Sequence, residues 1–186
     1  MNKALTFTTK DPNDWATPEG FFEMLIKEFG PFDVDVCAYP HNTKCEEYFT
    51  PELDGLAQEW HGAVWCNPPY GHGNIAKWLA KAEREIRSGR CERAVFLVPA
   101  ATDTAWFHEY CVAHAQSILF VRNRLHFSSP ERTGRGSHPS IVTDFTRASL
   151  DRGVPLKWDT ILASEAVRRG AVRGVRRGVI QQRLCL

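Results

Sequence analysis

The chain has 186 residues, the length of one domain that can bury a hydrophobic core. Its formal net charge is +1, so the overall charge indicates no nucleic-acid partner and any basic surface must be local. No apolar run reaches the roughly 18 residues that cross a bilayer, and residues 1–10 are polar, so we expect no membrane contact and a cytoplasmic protein. The six cysteines form no C-x-x-C pair, so we expect free thiols and no metal site.

The first predicted element is a helix that begins at Thr17-Pro18 and ends at Gly30-Pro31. Apolar residues recur at helical spacing between these two pairs. In the first pair the threonine is a favourable N-cap and the proline suits the first helical position. The second pair is a typical helix stop.

Short apolar or alternating runs then predict the strands of a sheet. The runs are residues 32–38, 46–50, 63–66, 94–98, 117–121, 125–127 and 140–145. Helices are predicted between several of them, over residues 56–60, 73–89 and 103–112. This alternation predicts an α/β domain with a largely parallel sheet. The polar loop 128–139 between the last two strands predicts a late antiparallel hairpin at the edge of that sheet.

Asn67-Pro68-Pro69-Tyr70 directly follows the apolar run 63–66, and ligands of open α/β sheets bind beyond such strand ends. The prolines fix an extended backbone and remove two N–H donors. The Asn67 side chain and the Pro68 carbonyl can accept hydrogen bonds from the amino group of a planar base, and Tyr70 can stack on that base. We therefore predict that Asn67, Pro68, Pro69 and Tyr70 are the catalytic residues.

This motif and its flanking sequence resemble the phage-type DNA N-6-adenine methyltransferases, a family with an Asn-Pro-Pro-Tyr catalytic motif. The resemblance covers about residues 14–145, and several spaced motifs in order make it specific. The matching segments are residues 15–18, 32–38, 42–45, 48–50, 54–56, 60, 65–70, 97–100, 102–104, 106–107 and 124–127.

The resemblance implies a Rossmann-like methyltransferase fold that transfers a methyl group from S-adenosylmethionine to N6 of adenine in double-stranded DNA. The target base must then leave the duplex to be methylated. The resemblance also implies a phage or prophage origin and action in the bacterial cytoplasm. The residues expected to contact the cofactor are Trp15, Thr17, Pro18, Asp35, Ala38, Asp54 and Leu56.

The sequence departs from the wider class of these enzymes at two places. The usual Gly-x-Gly after the first strand is replaced by Cys37-Ala38-Tyr39-Pro40. The acidic residue expected after the second strand could be Glu46, Glu47 or Glu52. Two alternatives therefore stay open: a methyltransferase of protein glutamine or RNA base amines, and a catalytically inactive DNA-binding protein on the same fold.

Positive charge is concentrated in the second half of the chain. We predict that loop arginines contact DNA phosphates, although a solvated loop fits equally well. These arginines are Arg122, Arg124, Arg132 and Arg135. The C-terminal composition is arginine-rich and lacks acidic residues after Glu165, so we divide the chain into a methyltransferase domain, residues 1–157, and an arginine-rich tail, residues 158–186. The oligomeric state, monomer or dimer, is left open.

Overall fold

The computed structural model describes residues 14–71, 73–130, 133–135, 138–151, 156–162 and 178–179. The helices are α1 (Glu19–Phe29), α2 (Asn74–Ser88) and α3 (Arg147–Leu150), with a π-helical segment over Phe107–Val112. The strands are β1 (Val34–Asp35), β2 (Glu47–Tyr48), β3 (Gly62–Cys66), β4 (Cys91–Pro99), β5 (Ser117–Arg122), β6 (His126–Ser128), β7 (Thr133–Arg135), β8 (Ser140–Thr146), β9 (Lys157–Leu162) and β10 (Gly178–Val179). No helix in these ranges is long and apolar enough to cross a membrane.

The predicted α/β class and largely parallel sheet are confirmed. Within the described residues, eight strands form one sheet in the order β10-β9-β5-β8-β4-β3-β1-β2. Parallel pairs join β2, β1, β3 and β4 at one side of the sheet and β5 to β9 at the other. The opposite direction is taken by β8, which is antiparallel to both β4 and β5, and by β10.

The late antiparallel element exists, but its predicted place at the sheet edge is wrong. The strand predicted over 140–145 is β8, which lies inside the sheet between β4 and β5. The strand predicted over 125–127 is β6, which pairs with β7 in a separate two-stranded sheet. Because β8 is central, residues 140–145 are buried on both of its faces, including the polar side chains of Thr143 and Asp144.

Three smaller expectations also change. Helix α1 begins at Glu19 with Pro18 as its N-cap, because the Pro18 carbonyl accepts hydrogen bonds from the N–H groups of Phe21 and Phe22. Thr17 is therefore not the cap. Residues 56–60 form turns instead of a helix, and the helix expected from residue 103 begins at residue 105.

Alternate residues of the sheet build two hydrophobic layers, as the twofold repeat of a strand requires. Val64 and Phe96 face one layer together with Trp78 of α2, while Trp65 and Leu97 face the other. The second layer contains the apolar face of α1. With a helix on each side, the carboxyl ends of the parallel strands are the place where polar loops can gather.

The predicted boundary between residues 157 and 158 falls inside β9, which pairs with β5 across residues 157–162. The sheet thus continues past that boundary. Most of the arginine-rich tail lies outside the described residues, so the division into residues 1–157 and 158–186 stays a prediction.

Candidate active site

A cleft with a volume of about 180 Å³ lies where β1 and β3 end. Seven residues singled out from the sequence line it: Trp15, Thr17, Asp35, Ala38, Asp54, Asn67 and Pro69. Four others flank it without lining it: Pro18, Leu56, Pro68 and Tyr70. The fold thus brings the predicted cofactor residues and the predicted catalytic loop to one place.

Asp35 ends β1 and is buried beside the cleft. Its carboxylate accepts hydrogen bonds from the backbone N–H groups of Lys44 (3.0 Å) and Cys37 (3.3 Å). Burial raises the pKa of Asp35 to about 7, and these hydrogen bonds and the charge of Lys44 only partly oppose that rise. Near neutral pH, a cation or a hydrogen-bond donor in the cleft would therefore stabilise the ionised carboxylate.

Asn67 follows β3, and both ends of its side-chain amide are engaged. Its Nδ2 donates to the carbonyl oxygen of Trp15 (3.2 Å) and lies 3.5 Å from the hydroxyl oxygen of Thr17. Its Oδ1 accepts from the hydroxyl of Tyr70 (3.0 Å), which also lies 3.3 Å from the carbonyl oxygen of Leu97. These contacts fix which amide atom is the oxygen, and one lone pair of that oxygen is still available.

Tyr70 therefore has a task that the sequence did not indicate. The sequence suggested an aromatic face for stacking, whereas the structure directs its hydroxyl at the amide of Asn67. Burial raises the pKa of Tyr70, so its hydroxyl stays protonated and continues to donate.

Residues 14–17 form an N-terminal strap across the cleft. Asp14 is buried and accepts hydrogen bonds from the side chains of His41 and Asn42, both at 2.9 Å. Ala16 pairs with Ser128 at the end of β6 through an isolated antiparallel bridge. The strap thus joins the loop after β1, Asn67 and the small β6–β7 sheet.

The loop after β2 closes the cleft through Asp54 and Gly55. Asp54 has a left-handed φ of 53°, and its carboxylate accepts from the backbone N–H of Leu56 at 3.1 Å. A Cβ at residue 55 would lie 2.0 Å from the carbonyl oxygen of Val36, so only glycine permits this approach of the loop to the end of β1. The Leu56 side chain packs against the core.

The three glutamates that the sequence offers for the acidic position after the second strand lie outside the lining of the cleft. Glu46, Glu47 and Glu52 are exposed and do not line the cleft, whereas Asp54 does. Asp33, which immediately precedes β1, is exposed and accepts a hydrogen bond from the backbone N–H of Ala63 at 2.7 Å. Asp35 and Asp54 are thus the acidic residues that face the cleft.

Sequence reasoning assigned no role to several other residues that line the cleft. These are Val36, Cys37, Tyr39, Asn42, Lys44, Phe49, Thr50, Pro51, Gly55, Trp65 and Trp78. Asn42 and Lys44 belonged to a matching segment without a stated function. Their position between the first two strands could have identified them, because in a parallel sheet that connection begins at the carboxyl edge.

The predicted DNA-contacting arginines are only partly placed. Arg122 is exposed at the end of β5, and Arg124 is exposed two residues later. Since β5 runs in the same direction as β3, both arginines lie at the edge of the sheet that carries Asn67. Arg132 lies outside the described residues, and at Arg135 only the backbone, in β7, is described.

The described part of the chain holds no group of three or more His, Cys, Asp or Glu side chains that could bind a metal. Five cysteines, Cys37, Cys45, Cys66, Cys91 and Cys111, are free thiols. Cys66 and Cys111 are buried, whereas Cys37 is half-buried and lines the cleft.

Comparison with known proteins gives consistent matches. A family model described as DNA N-6-adenine-methyltransferase (Dam) matches residues 6–144. A protein named DNA N-6-adenine-methyltransferase from Haemophilus phage HP1 is 32% identical over 145 residues, which cover 74% of this chain and 82% of that protein. One of the same name from Escherichia phage T1 is 32% identical over 109 residues, 58% of this chain and 44% of that protein. The putative methyltransferase YfdM of Escherichia coli K12 is 37% identical over 65 residues, 31% of this chain and 71% of that protein.

Proposed function

We propose that S-adenosylmethionine is the methyl donor of this chain and that double-stranded DNA is its substrate. The premise is that the chain belongs to the DNA N-6-adenine-methyltransferase family and so methylates adenine in DNA. The observation that carries the proposal is that Asn67 lies in the cleft that Asp35 also lines. The side-chain amide of Asn67, proposed to bind a base, and the buried carboxylate of Asp35, proposed to bind a cofactor, line the same cleft.

The cleft residues fit this methyl donor. Asp35 offers a carboxylate that a ligand ammonium or ribose hydroxyl would stabilise in its ionised form. Trp15, Phe49 and Trp78 add aromatic surface suited to an adenine ring and its ribose. When bound there, S-adenosylmethionine supplies an activated methyl group. Pro18 and Leu56, which lie beside the cleft, are proposed to support neighbouring contacts.

Asn67 is proposed to hold the reacting amine. The amine of the target adenine donates one hydrogen bond to the available lone pair of Asn67 Oδ1 and another to the carbonyl of Pro68. Two such contacts direct the nitrogen lone pair toward the cleft. Because the amine is positioned against an activated methyl group, orientation supplies most of the rate and no strong base is needed.

Tyr70 and the N-terminal strap are proposed to keep Asn67 in this orientation. The Tyr70 hydroxyl donates to Oδ1, and the carbonyl of Trp15 accepts from Nδ2, so a flipped amide would lose both hydrogen bonds. Tyr70 is also proposed to stack on the flipped base, a contact worth about 1–3 kcal/mol. Pro68 and Pro69 keep the loop extended so that these groups face the opening.

DNA is proposed to lie across the carboxyl edge of the sheet. Arg122 and Arg124 are exposed at that edge, and Arg132 and Arg135 belong to the same loop region. Phosphate contacts from such side chains would hold the duplex while the target adenine rotates out of the stack. Action on bacterial or phage DNA implies the bacterial cytoplasm as the place of work.

The test is transfer of labelled methyl from S-adenosylmethionine to unmethylated duplex DNA, followed by nucleoside analysis. Wild-type protein should yield labelled N6-methyladenine. The variant Asn67→Ala should lose at least about 100-fold in rate, because the reacting amine loses its orientation. Label on protein or RNA with none on DNA would contradict the proposal, as would a donor that does not bind at all.

Replacement of Tyr70 separates its two tasks. Tyr70→Phe keeps the ring but removes the hydrogen bond to Asn67, so we expect kcat to fall about tenfold with little change in KM. Tyr70→Ala removes stacking as well and should raise the KM for DNA. Tyr110→Phe, a hydroxyl removal in the π-helical segment, is the matched control and should keep wild-type rates. Equal kcat for Tyr70→Phe and wild type would show that the hydroxyl does not position Asn67.

A further inference from the structure

Lys44 is a lysine that lines the cleft and whose side chain has been given no role. Its side chain is only 9% exposed, although lysine normally keeps its ammonium group in water. Its backbone N–H donates to Asp35 at 3.0 Å, and its charge acts on the Asp35 carboxylate. A cation and an anion therefore belong to the lining of one cleft.

The present partner of Lys44 is Glu19, with 2.5 Å between Nζ and Oε2. Glu19 is the first residue of α1, and its side chain is 71% exposed. An ion pair with one highly exposed partner contributes little, because water solvates that carboxylate almost equally well. A second carboxylate could therefore replace Glu19 at Lys44 at small cost.

The N-terminus of α1 adds to the positive character of this position. Helix α1 is 11 residues long, and its first N–H groups carry the partial positive charge of the helix dipole. Thr17, which precedes the helix, lines the same cleft as Lys44. A ligand carboxylate placed between Lys44 and this helix end would meet two sources of positive potential.

We infer that Lys44 binds the carboxylate of the methionine part of the methyl donor while Asp35 binds its ammonium group. An α-amino acid carries both charges on a single carbon, so an anion and a cation that line one cleft, as Asp35 and Lys44 do, suit its recognition. The inference rests on the proposed donor and deepens it: Asp35 meets the amino-acid end of the donor and not its ribose.

The experiment is calorimetric titration of the whole chain with S-adenosylhomocysteine and, in parallel, with the same molecule lacking its carboxylate. Lys44→Met keeps the apolar stem and removes the charge. It should weaken binding of S-adenosylhomocysteine about 10–100-fold and leave binding of the decarboxylated ligand within about twofold. Lys77→Met, an exposed lysine of α2, is the matched control and should bind both ligands as the wild type does.

Glu19→Gln tests the exchange of partners from the other side. Removal of the competing carboxylate should tighten binding of S-adenosylhomocysteine up to about fivefold and leave the decarboxylated ligand unchanged. Because Glu19 is exposed, this variant also keeps the inference testable if Lys44→Met does not fold. The inference is overturned if Lys44→Met weakens both ligands equally, or if Glu19→Gln affects both alike.

Failure of the proposed function would look different. If neither form of the ligand binds the wild type, then the donor itself is wrong, and the role of Lys44 is overturned with it. If the wild type binds both forms with the same affinity, the donor stands, but its carboxylate makes no favourable contact and Lys44 is not its partner.

Discussion

Two acidic side chains of this molecule expose almost equally little surface to solvent, but their surroundings shift their pKa values in opposite directions. Asp35 is 2% exposed and Glu85 is 3% exposed. Burial would raise the pKa of Glu85, but hydrogen bonds from Lys81 (2.6 Å) and Arg90 (2.8 Å) outweigh it and hold that pKa below its usual value. The pKa of Asp35 is raised to about 7, because two backbone N–H groups do not compensate for its burial.

The difference separates a carboxylate that holds the fold from one that is prepared for a ligand. Glu85, near the end of α2, pairs with Lys81 on the same helix and with Arg90 just before β4, so its negative charge is balanced by cations of the protein. Asp35 lies at the carboxyl edge of the sheet, where a buried charge lowers stability unless a ligand completes its surroundings. In this pair, the acid that faces the cleft is the one whose burial is not fully offset by its partners.

The largest effect is expected from Glu85→Ala. This variant leaves the ammonium group of Lys81 buried without its partner, and broken buried ion pairs cost about 3–5 kcal/mol. Urea unfolding should show a loss of this size. Glu83→Ala, which breaks the pair with the half-exposed Arg87 on the same helix, is the control and should cost less than about 1 kcal/mol. Equal losses would remove the distinction drawn for Glu85.

Asp35→Asn should change how stability depends on pH. The folded pKa of Asp35, about 7, exceeds its ordinary value of 3.8, so its contribution to stability is greatest at low pH and is lost as pH rises through 7. The variant lacks this loss. Between about pH 4 and pH 8 the stability difference should therefore move in favour of the variant by about 2–4 kcal/mol.

The measurement is urea unfolding of both proteins across that range without ligand. Asp33→Asn, which changes an exposed carboxylate close to Asp35, provides the comparison for the general effect of charge. If the stability difference between Asp35→Asn and wild type does not vary with pH, then the pKa of Asp35 is not raised in the folded protein. The partners of Asp35 would then offset its burial, as those of Glu85 do.

Ligand affinity should depend on the same ionisation of Asp35, but it should rise with pH where the stability falls. The ionised Asp35 attracts a ligand ammonium, so affinity for S-adenosylhomocysteine should rise with pH and level off above about 7, changing roughly tenfold per pH unit at the acidic end. Asp35→Asn should bind weakly and almost independently of pH. His41→Asn, which changes the side chain in contact with Asp14 of the strap, is the control and should keep the wild-type profile. If Asp35→Asn keeps a pH dependence as steep as that of the wild type, Asp35 is not the group that governs binding.

The site was predicted where local sequence carries the signal. Asn67 directly follows an apolar strand, so the rule for parallel sheets placed it at the carboxyl edge, and the family resemblance placed Asp35 at the cofactor. Glu85 and Lys81 gave no such signal, because an i, i+4 pair of opposite charges usually lies on the solvent face of a helix. Their burial depends on Trp60, whose ring lies 5.9 Å from the ammonium of Lys81, and that contact joins parts of the chain 21 residues apart.

Long-range packing also explains the remaining differences. Residue 55 must be glycine because a Cβ there would collide with the carbonyl oxygen of Val36. That contact is between distant residues, so no local sequence pattern predicts it. The place of β8 between β4 and β5 follows from nonlocal pairing, which strand patterns cannot order. At Thr17 the local rule for N-caps was wrong because Pro18 supplies the capping carbonyl and the threonine hydroxyl lies beside Asn67.

The smallest effect is expected from Arg90→Met, and it divides the partners of Glu85. The Arg90 side chain is 43% exposed and that of Lys81 is 8% exposed, so water can replace the first partner but not the second. We expect Arg90→Met to cost about 1 kcal/mol, with the difference from wild type shrinking at high salt. The loss from Glu85→Ala should be nearly independent of salt, because its ion pair with Lys81 is buried. If Arg90→Met costs as much as Glu85→Ala, then the arginine, and not the buried lysine, neutralises Glu85. A half-exposed cation would then be enough to stabilise a buried carboxylate such as that of Asp35.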